Sequence, residues 1–344
     1  MTVDILNIVH IPPHKNNETK IEDAAVRYLC AGWYILIAFT ALIGDTIILT
    51  ASIRHNAIKL HEVLVAFIQH IAVTDLIASV IWLLPSAVSL IANKWVLGVF
   101  ICNIRTPIGS LGNQAARLLI CGMTTSKLLM LRYPLRSVSW SAGQAHKLCA
   151  GIWFLSGISC TSFSVNQIRG IFDFRAYVCM FDIKSRTQFN VIQPIVSTVI
   201  TLIPSLVIVL TGSMILGLAG RVARQARQGL RWQGVLTVVL TATFYVISFL
   251  PRAVYHMAEP LVRKGPLTPY HFMVTYYRLG LVLLSFNNVS NLFIYCLAVA
   301  SFRDFLRNRF QRLICQNQGE TLNLPPIHFI CTYLNLLTLA FKTL

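Results

Sequence analysis

Residues 63–92 read VLVAFIQHIAVTDLIASVIWLLPSAVSLIA, a long apolar stretch whose single carboxylate is Asp75. Such a stretch is typical of a helix that crosses a bilayer, because about 20 apolar residues span the hydrocarbon core. Comparable stretches recur along the chain with short connectors between them, so we expect one membrane domain without a soluble insert. The predicted spans are 29–53, 63–92, 100–132, 148–168, 190–219, 233–260 and 271–299.

The composition excludes several classes of protein. The chain has 344 residues, of which 56% are hydrophobic and 12% charged, whereas a soluble domain carries about 25% charged residues. A water-soluble enzyme is therefore excluded, and no nucleophile, base and orienting residue form a catalytic set. The net charge is +17. In a membrane protein, such an excess of basic residues usually sets the orientation of the chain in the membrane and contacts lipid headgroups. Nucleic acid is not an expected partner, because no basic run is interleaved with aromatic residues.

The loops predict the orientation of the chain. Basic residues are denser on one set of loops, which the positive-inside rule places in the cytoplasm, so the N-terminus is expected outside. We divide the chain into an extracellular tail (1–28), a seven-span domain (29–300), a cytoplasmic interfacial helix (301–315) and a cytoplasmic tail (316–344). The interfacial helix is predicted because, at helical spacing, its phenylalanines share one face and its arginines share the other.

Two positions are candidates for covalent modification. The sequon Asn17-Glu18-Thr19 precedes the first span, where N-glycosylation is expected, although an unmodified polar tail is the alternative. Cys315 closes the interfacial helix at the level of the membrane, where we expect S-palmitoylation.

Short motifs occur in a fixed order along the spans. They are IAVTDL at 71–76, Trp95 and Gly98 before Cys102, PL at 134–135, Trp153, Pro204, FLP at 249–251, and NLFIY at 291–295 followed by Phe302. Their order and spacing resemble those of the rhodopsin-like (class A) G-protein-coupled receptors over residues 29–315. The resemblance implies an all-α, seven-transmembrane helix bundle in the plasma membrane. It also implies an extracellular small-molecule or peptide ligand and a heterotrimeric G protein as partners.

Several positions depart from that family's pattern. The D/E-R-Y triplet is Ser126-Lys127-Leu128 here, and the sixth-span position that often carries its acidic partner is Arg231. Two cations cannot form the ion pair that holds the inactive state at the cytoplasmic end in that family. We therefore predict weak coupling to the G protein, through four cytoplasmic residues: Ser126, Lys127, Arg231 and Tyr295. A receptor-shaped decoy or partner subunit is the near alternative. A transporter is a more distant one, because paired, Gly/Pro-broken spans in two related halves are not visible.

The resemblance implies a disulfide between Cys102, at the outer end of the third span, and Cys179, in the following outer loop. The outer face is oxidising, and two free thiols are the alternative. The cysteines within spans are expected to be small packing residues.

An ionisable group at the middle of the membrane is costly and is functional by default. For Asp75 the resemblance implies a sodium pocket formed with Asn287 and Asn291, and Asp45 adds a second carboxylate. Two close carboxylates in a low dielectric need a cation between them, or one of them keeps its proton. A purely structural polar cluster is the alternative, and the family's third-span serine is absent, since Ala116 stands there. No other cofactor is expected.

Cationic groups are predicted around the cavity that binds ligands in this family. Arg105 lies one turn inside Cys102, Arg252 follows Pro251, and His256 is one turn above Arg252. With Phe249 at the toggle position, they would suit an acidic, partly apolar ligand. Alternatively, Arg105 and His256 face the outer water layer and Arg252 pairs locally.

Two further positions argue against particular ligands. Gly109 stands where amine receptors carry an aspartate, and Ser285 stands where opsins carry the Schiff-base lysine. The sequence therefore disfavours a biogenic amine and a linked retinal.

Overall fold

A computed structural model of the chain describes residues 17–53, 57–133, 140–164, 170–173, 178–181, 202–218, 229–262 and 270–317. These residues form the seven helices of a bundle and an eighth helix after them, which confirms the prediction of an all-α, seven-helix membrane fold. The helices are α1 (Asn17–Ile53), α2 (Glu62–Ala92), α3 (Gly98–Arg132), α4 (Ala142–Ser164), α5 (Leu202–Leu218), α6 (Gly229–Val262), α7 (Tyr270–Ala298) and α8 (Ala300–Asn317).

Several helices differ in extent from the predicted spans. α1 begins at Asn17 and α4 at Ala142, both earlier than predicted, so part of the predicted tail 1–28 is helical. Apolar composition marks only the part of a helix that lies in the hydrocarbon core, about 30 Å thick. With 37 residues, α1 is about 55 Å long at 1.5 Å per residue. The predicted start of the fifth span at residue 190 lies outside the described residues.

A β-hairpin, which the sequence analysis did not predict, lies between α4 and α5. Its strands β1 (Gly170–Asp173) and β2 (Val178–Phe181) are antiparallel, with Phe172 opposite Cys179. Both strands pack against α3, and β2 also contacts the end of α2. The hairpin therefore covers one end of the bundle, which we call the outer end after the predicted orientation; the opposite end is the inner end.

Four of the described helices are long and apolar enough to cross a membrane: α1, α2, α6 and α7. α3 is not among them, and it carries Arg105, Arg117 and Lys127. All three side chains are buried within the bundle, so α3 presents its charges to other helices. Buried charges inside a membrane domain need partners in the protein.

α2 is continuous but irregular. It consists of α-helical Glu62–Ala78, a π-helical turn at Ser79–Leu83 and α-helical Leu84–Ala92. Such π turns widen a helix locally and are frequent at functional sites. α2 then ends at Asn93, whose φ of 53° is left-handed.

Apolar residues of all of α1–α7 form the main core, in the inner half of the bundle. The fully buried Phe302 anchors α8 to this core, since its ring lies edge-on to Tyr295 at 6.3 Å. The Nη1 of Arg303 donates hydrogen bonds to the carbonyl oxygens of Cys296 and Leu297. These contacts fix α8 to the end of α7.

Candidate functional site

A cluster of buried carboxylates lies among α1, α2 and α7. Asp75 is 1% exposed and accepts a hydrogen bond of 2.6 Å from Asn291 Nδ2. Asp45, also 1% exposed, lies within electrostatic range of Asp75. The Asp45 Oδ2 and Tyr295 hydroxyl atoms are buried and have no hydrogen-bond partner in the described part of the chain. The structure thus brings together Asp45, Asp75 and Asn291, as the sequence analysis predicted.

A small cavity borders Asp75. Its volume of about 20 Å³ has room for a single water molecule or ion. Asn287 also lines it, whereas Asn291 and Asp45 are not part of its wall and interact with Asp75 instead. Arg117 also lines this cavity, so the cavity has both a carboxylate and a guanidinium in its wall.

Arg117 belongs to a polar junction whose partners on the neighbouring helices the sequence does not specify. Its Nε donates a hydrogen bond of 2.9 Å to the hydroxyl of Tyr245, and its guanidinium lies 4.5 Å from the centre of the Phe249 ring. The rings of Tyr245 and Phe249 are stacked at 5.5 Å. The Tyr245 hydroxyl also forms a hydrogen bond with the side chain of Ser205. One hydroxyl group therefore joins α3, α5 and α6.

The signal that could have identified Tyr245 is its position four residues before Phe249. Residues four apart lie on one face of a helix, and Phe249 was already a candidate. Tyr245 faces the bundle as Phe249 does, and both are buried.

Arg105 is held between α2 and α3 near the outer end. Its Nη2 donates hydrogen bonds to Ser86 Oγ at 2.5 Å and to the Trp82 carbonyl oxygen at 3.3 Å. Its guanidinium lies 3.9 Å from the centre of the Trp82 ring, a geometry in which a cation is attracted to the ring face. At 1% exposure, Arg105 does not face the outer water layer.

Gly109 completes this contact between α2 and α3. A Cβ at that position would lie 2.8 Å from Trp82 Cε3. Gly109, which stands where amine receptors carry an aspartate, therefore also lets the Trp82 ring approach α3.

Arg252 is separate from Arg105, at the contact between α6 and α7. It is half-buried, and a Cβ at Gly280 of α7 would lie 3.5 Å from its backbone nitrogen. Its Nη1 atom is buried without a hydrogen-bond partner among the described residues. The backbone of His256 lies in α6, but its side chain is outside the description.

The inner end of α3 packs closely against α6. Ser126 and Lys127 are buried, and a Cβ at Gly234 would lie 2.9 Å from Lys127 Nζ. Lys127 therefore occupies a notch in α6 that only glycine leaves open. Burial and the charge of Lys127 lower the pKa of His61, against the opposite effect of Glu62. Arg231 lies in α6, one turn before Gly234, with its side chain outside the description.

The structure bears on part of what the sequence predicts for the cysteines. Cys102 is buried and disulfide-bonded, and the strand that carries Cys179 packs against α3. The side chains of Cys179, Asn17 and Cys315 lie outside the description, so the Cys102–Cys179 pairing and both modifications remain predictions. Five cysteines within the helices are not part of a disulfide: Cys30, Cys121, Cys149, Cys160 and Cys296.

Comparison with known proteins identifies the family. The sequence profile of the rhodopsin family of seven-transmembrane receptors matches residues 44–295. The chain belongs to this family. The receptor is 29% identical over 133 residues to octopamine receptor 1 of Lymnaea stagnalis, covering 38% of this chain and 20% of that protein. It is 26% identical over 151 residues to proteinase-activated receptor 1 of Xenopus laevis, covering 42% and 35%.

A longer match joins the receptor to the QRFP-like peptide receptor of Branchiostoma floridae, with 20% identity over 239 residues, 65% of this chain and 62% of that protein. The chain thus spans less than two thirds of the length of the relatives it matches. The names of these relatives refer to ligands of different chemistry.

Proposed function

We propose that this receptor binds an extracellular ligand in the outer half of its bundle and signals to heterotrimeric G proteins at its inner face. Membership of the rhodopsin family supports the general role. The mechanism is a population shift, in which an agonist binds one helix arrangement more tightly and moves the equilibrium by that difference in affinity. We expect the receptor in the plasma membrane with its N-terminus outside.

The junction at Tyr245 is the observation that carries this proposal. It joins α3, α5 and α6 through one buried hydroxyl, directly beside the cavity that borders Asp75. A ligand that displaces α5 or α6 relative to α3 must stretch or break these hydrogen bonds. We propose that the bundle has two states, with these bonds formed or broken, and that a ligand favours one of them.

We propose an acidic, partly apolar ligand with Arg252 as its main anchor. The buried Nη1 of Arg252, which has no hydrogen-bond partner among the described residues, supports this, because a charge-assisted hydrogen bond to a carboxylate or phosphate would satisfy it. His256 is one turn above it and Phe249 is nearby on α6. Arg105 would support the site by fixing α3 against α2, since Trp82 and Ser86 already enclose its guanidinium.

The ligand hypothesis is tested by screening carboxylate, phosphate and amine compounds in a G-protein activation assay on cells with measured surface expression. Any acidic agonist is then assayed on Arg252→Ala, with the charge-preserving Arg252→Lys as the matched control. Loss of one contact to a buried anion costs about 2–5 kcal/mol, so Arg252→Ala should weaken the agonist at least tenfold. A cationic agonist, or one indifferent to Arg252→Ala, contradicts the hypothesis.

We also propose sodium as an occupant of the cavity beside Asp75. The residues fit such an ion, because Asp75 and Asn287 line the cavity and the buried Asp45 Oδ2 has no described partner. Bound sodium would neutralise part of the negative charge there. Asp75 and Asn291 hold α2 to α7, and Arg117, which also lines the cavity, offers a competing positive charge.

A receptor-like protein with weak or absent coupling is the second candidate function. It is favoured by Lys127, which is buried in the notch at Gly234 where the family places an arginine that contacts the G protein. Lysine lacks the planar fork of arginine and forms fewer directed hydrogen bonds. Such a protein would act as a decoy or as a partner subunit of another receptor.

A further inference from the structure

A pair of histidines lies away from the groups described above. His70 of α2 and His146 of α4 face each other, with His70 Nε2 at 3.2 Å from His146 Nδ1. Their ring centres are 5.3 Å apart and the ring planes are tilted by 57°. His70 is half-buried and His146 is exposed. His146 is in the second turn of α4, so the pair lies in the inner half of the bundle.

The separation of the two nitrogens suits one metal ion as well as one hydrogen bond. Two imidazole nitrogens, each about 2.0–2.1 Å from a tetrahedral zinc ion, are about 3.3 Å apart. The two residues are far apart in sequence, so the packing of α2 on α4 sets this separation. Because His146 is exposed, its ring can turn toward an ion that approaches from solvent.

We propose that His70 and His146 form a two-histidine site for a divalent transition-metal ion, with zinc as the reference case. Neutral imidazole is a preferred ligand of zinc, nickel and copper and a poor ligand of magnesium. Within the described part of the chain, no group of three His, Cys, Asp or Glu side chains could hold a metal. Water therefore completes the coordination shell, and the site is one of reversible binding.

A metal ion bound by His70 and His146 would link α2 to α4. The proton now shared between the two rings moves, by way of water, to the other nitrogen of the donor ring, so that both rings stay neutral and each offers a lone pair to the ion. An ion that binds only the packed arrangement stabilises it by an amount that grows with the logarithm of the ion concentration above the dissociation constant. The expected consequence is a metal-dependent rise in the thermal stability of the receptor.

The test uses the full-length receptor, purified in detergent with an affinity tag that contains no histidine. Thermal denaturation is followed while zinc chloride is titrated, with magnesium chloride as the matched salt. We expect zinc to raise the denaturation midpoint and magnesium to leave it unchanged. His146→Gln, a change at an exposed site, and His70→Gln should each raise the half-saturating zinc concentration at least tenfold.

A histidine elsewhere at the inner end provides the control. His61→Asn, which retains a side chain able to cap α2, should keep the zinc response of the wild type. The proposal is overturned if zinc does not raise the midpoint, if His146→Gln keeps the wild-type response, or if His61→Asn loses the response instead.

Discussion

Removal of the Tyr245 hydroxyl tests the junction among α3, α5 and α6. In Tyr245→Phe the ring keeps its stacking on Phe249, while the guanidinium of Arg117 loses a buried acceptor at 2.9 Å. A hydrogen bond to a charged group contributes about 1.5–3 kcal/mol. That energy corresponds to a change of about 10- to 150-fold in the equilibrium between the arrangements with and without the junction.

The assay is thermal denaturation of the purified receptor in detergent. Because 1 kcal/mol shifts the midpoint by roughly 2–4 °C in proteins of 150–250 residues, Tyr245→Phe should lower it by several degrees. Tyr133→Phe is the matched control, since Tyr133 is exposed at the end of α3. Arg117→Gln completes a double-mutant cycle, in which the double variant should lose less than the sum of the single losses. Additive losses, or a Tyr245→Phe midpoint equal to that of the control, would refute the junction.

Three other predictions concern separate parts of the receptor. Cys102→Ser should abolish surface expression or ligand binding, and mass spectrometry of the unreduced protein should show Cys102 joined to Cys179; alkylation of both thiols would contradict the pairing. Replacing choline by sodium at fixed ionic strength should raise the thermal stability of the wild type, whereas Asp75→Asn should not respond; a wild-type response in that variant would argue against the ion site. The pKa of His61 is lowered on folding, so its contribution to stability is complete above its unfolded pKa of about 6.5 and declines as the pH falls below that value. The decline in denaturation midpoint from pH 7.5 to 5.5 should therefore be smaller in His61→Asn, and an equal decline would assign the effect to other groups.

The sequence was sufficient to predict the helical architecture, because long apolar stretches have few alternatives to helices in a membrane. The resemblance to the receptor family, rather than hydropathy, implied that Asn291 lies near Asp75, and the structure places Asp75 beside Asn291 and within electrostatic range of Asp45. The hairpin could not be predicted, because Gly170–Asp173 and Val178–Phe181 are too short to show a strand pattern.

The partners of the charged residues were harder to predict. Hydropathy and spacing place Arg105 and Arg117 on α3 but do not specify which neighbouring helix each side chain contacts. That choice depends on packing details such as Gly109, which admits the ring of Trp82 beside Arg105. In the same way, Gly234 makes the notch for Lys127, and glycine in an apolar helix carries no local signal of such a role.

The central claim, that this receptor signals to G proteins, is tested most directly by nucleotide exchange on a G protein. The wild type and Lys127→Arg would be compared at equal surface expression, with any agonist found in the ligand screen. The notch at Gly234 accommodates the Lys127 ammonium closely, so the larger guanidinium of arginine should extend toward the inner face and toward the partner's carbonyl groups. We predict weak exchange by the wild type and stronger exchange by Lys127→Arg. No exchange in either protein would support the decoy or partner-subunit function. Strong agonist-driven exchange by the wild type, unchanged or reduced in Lys127→Arg, would show that the receptor couples through other contacts.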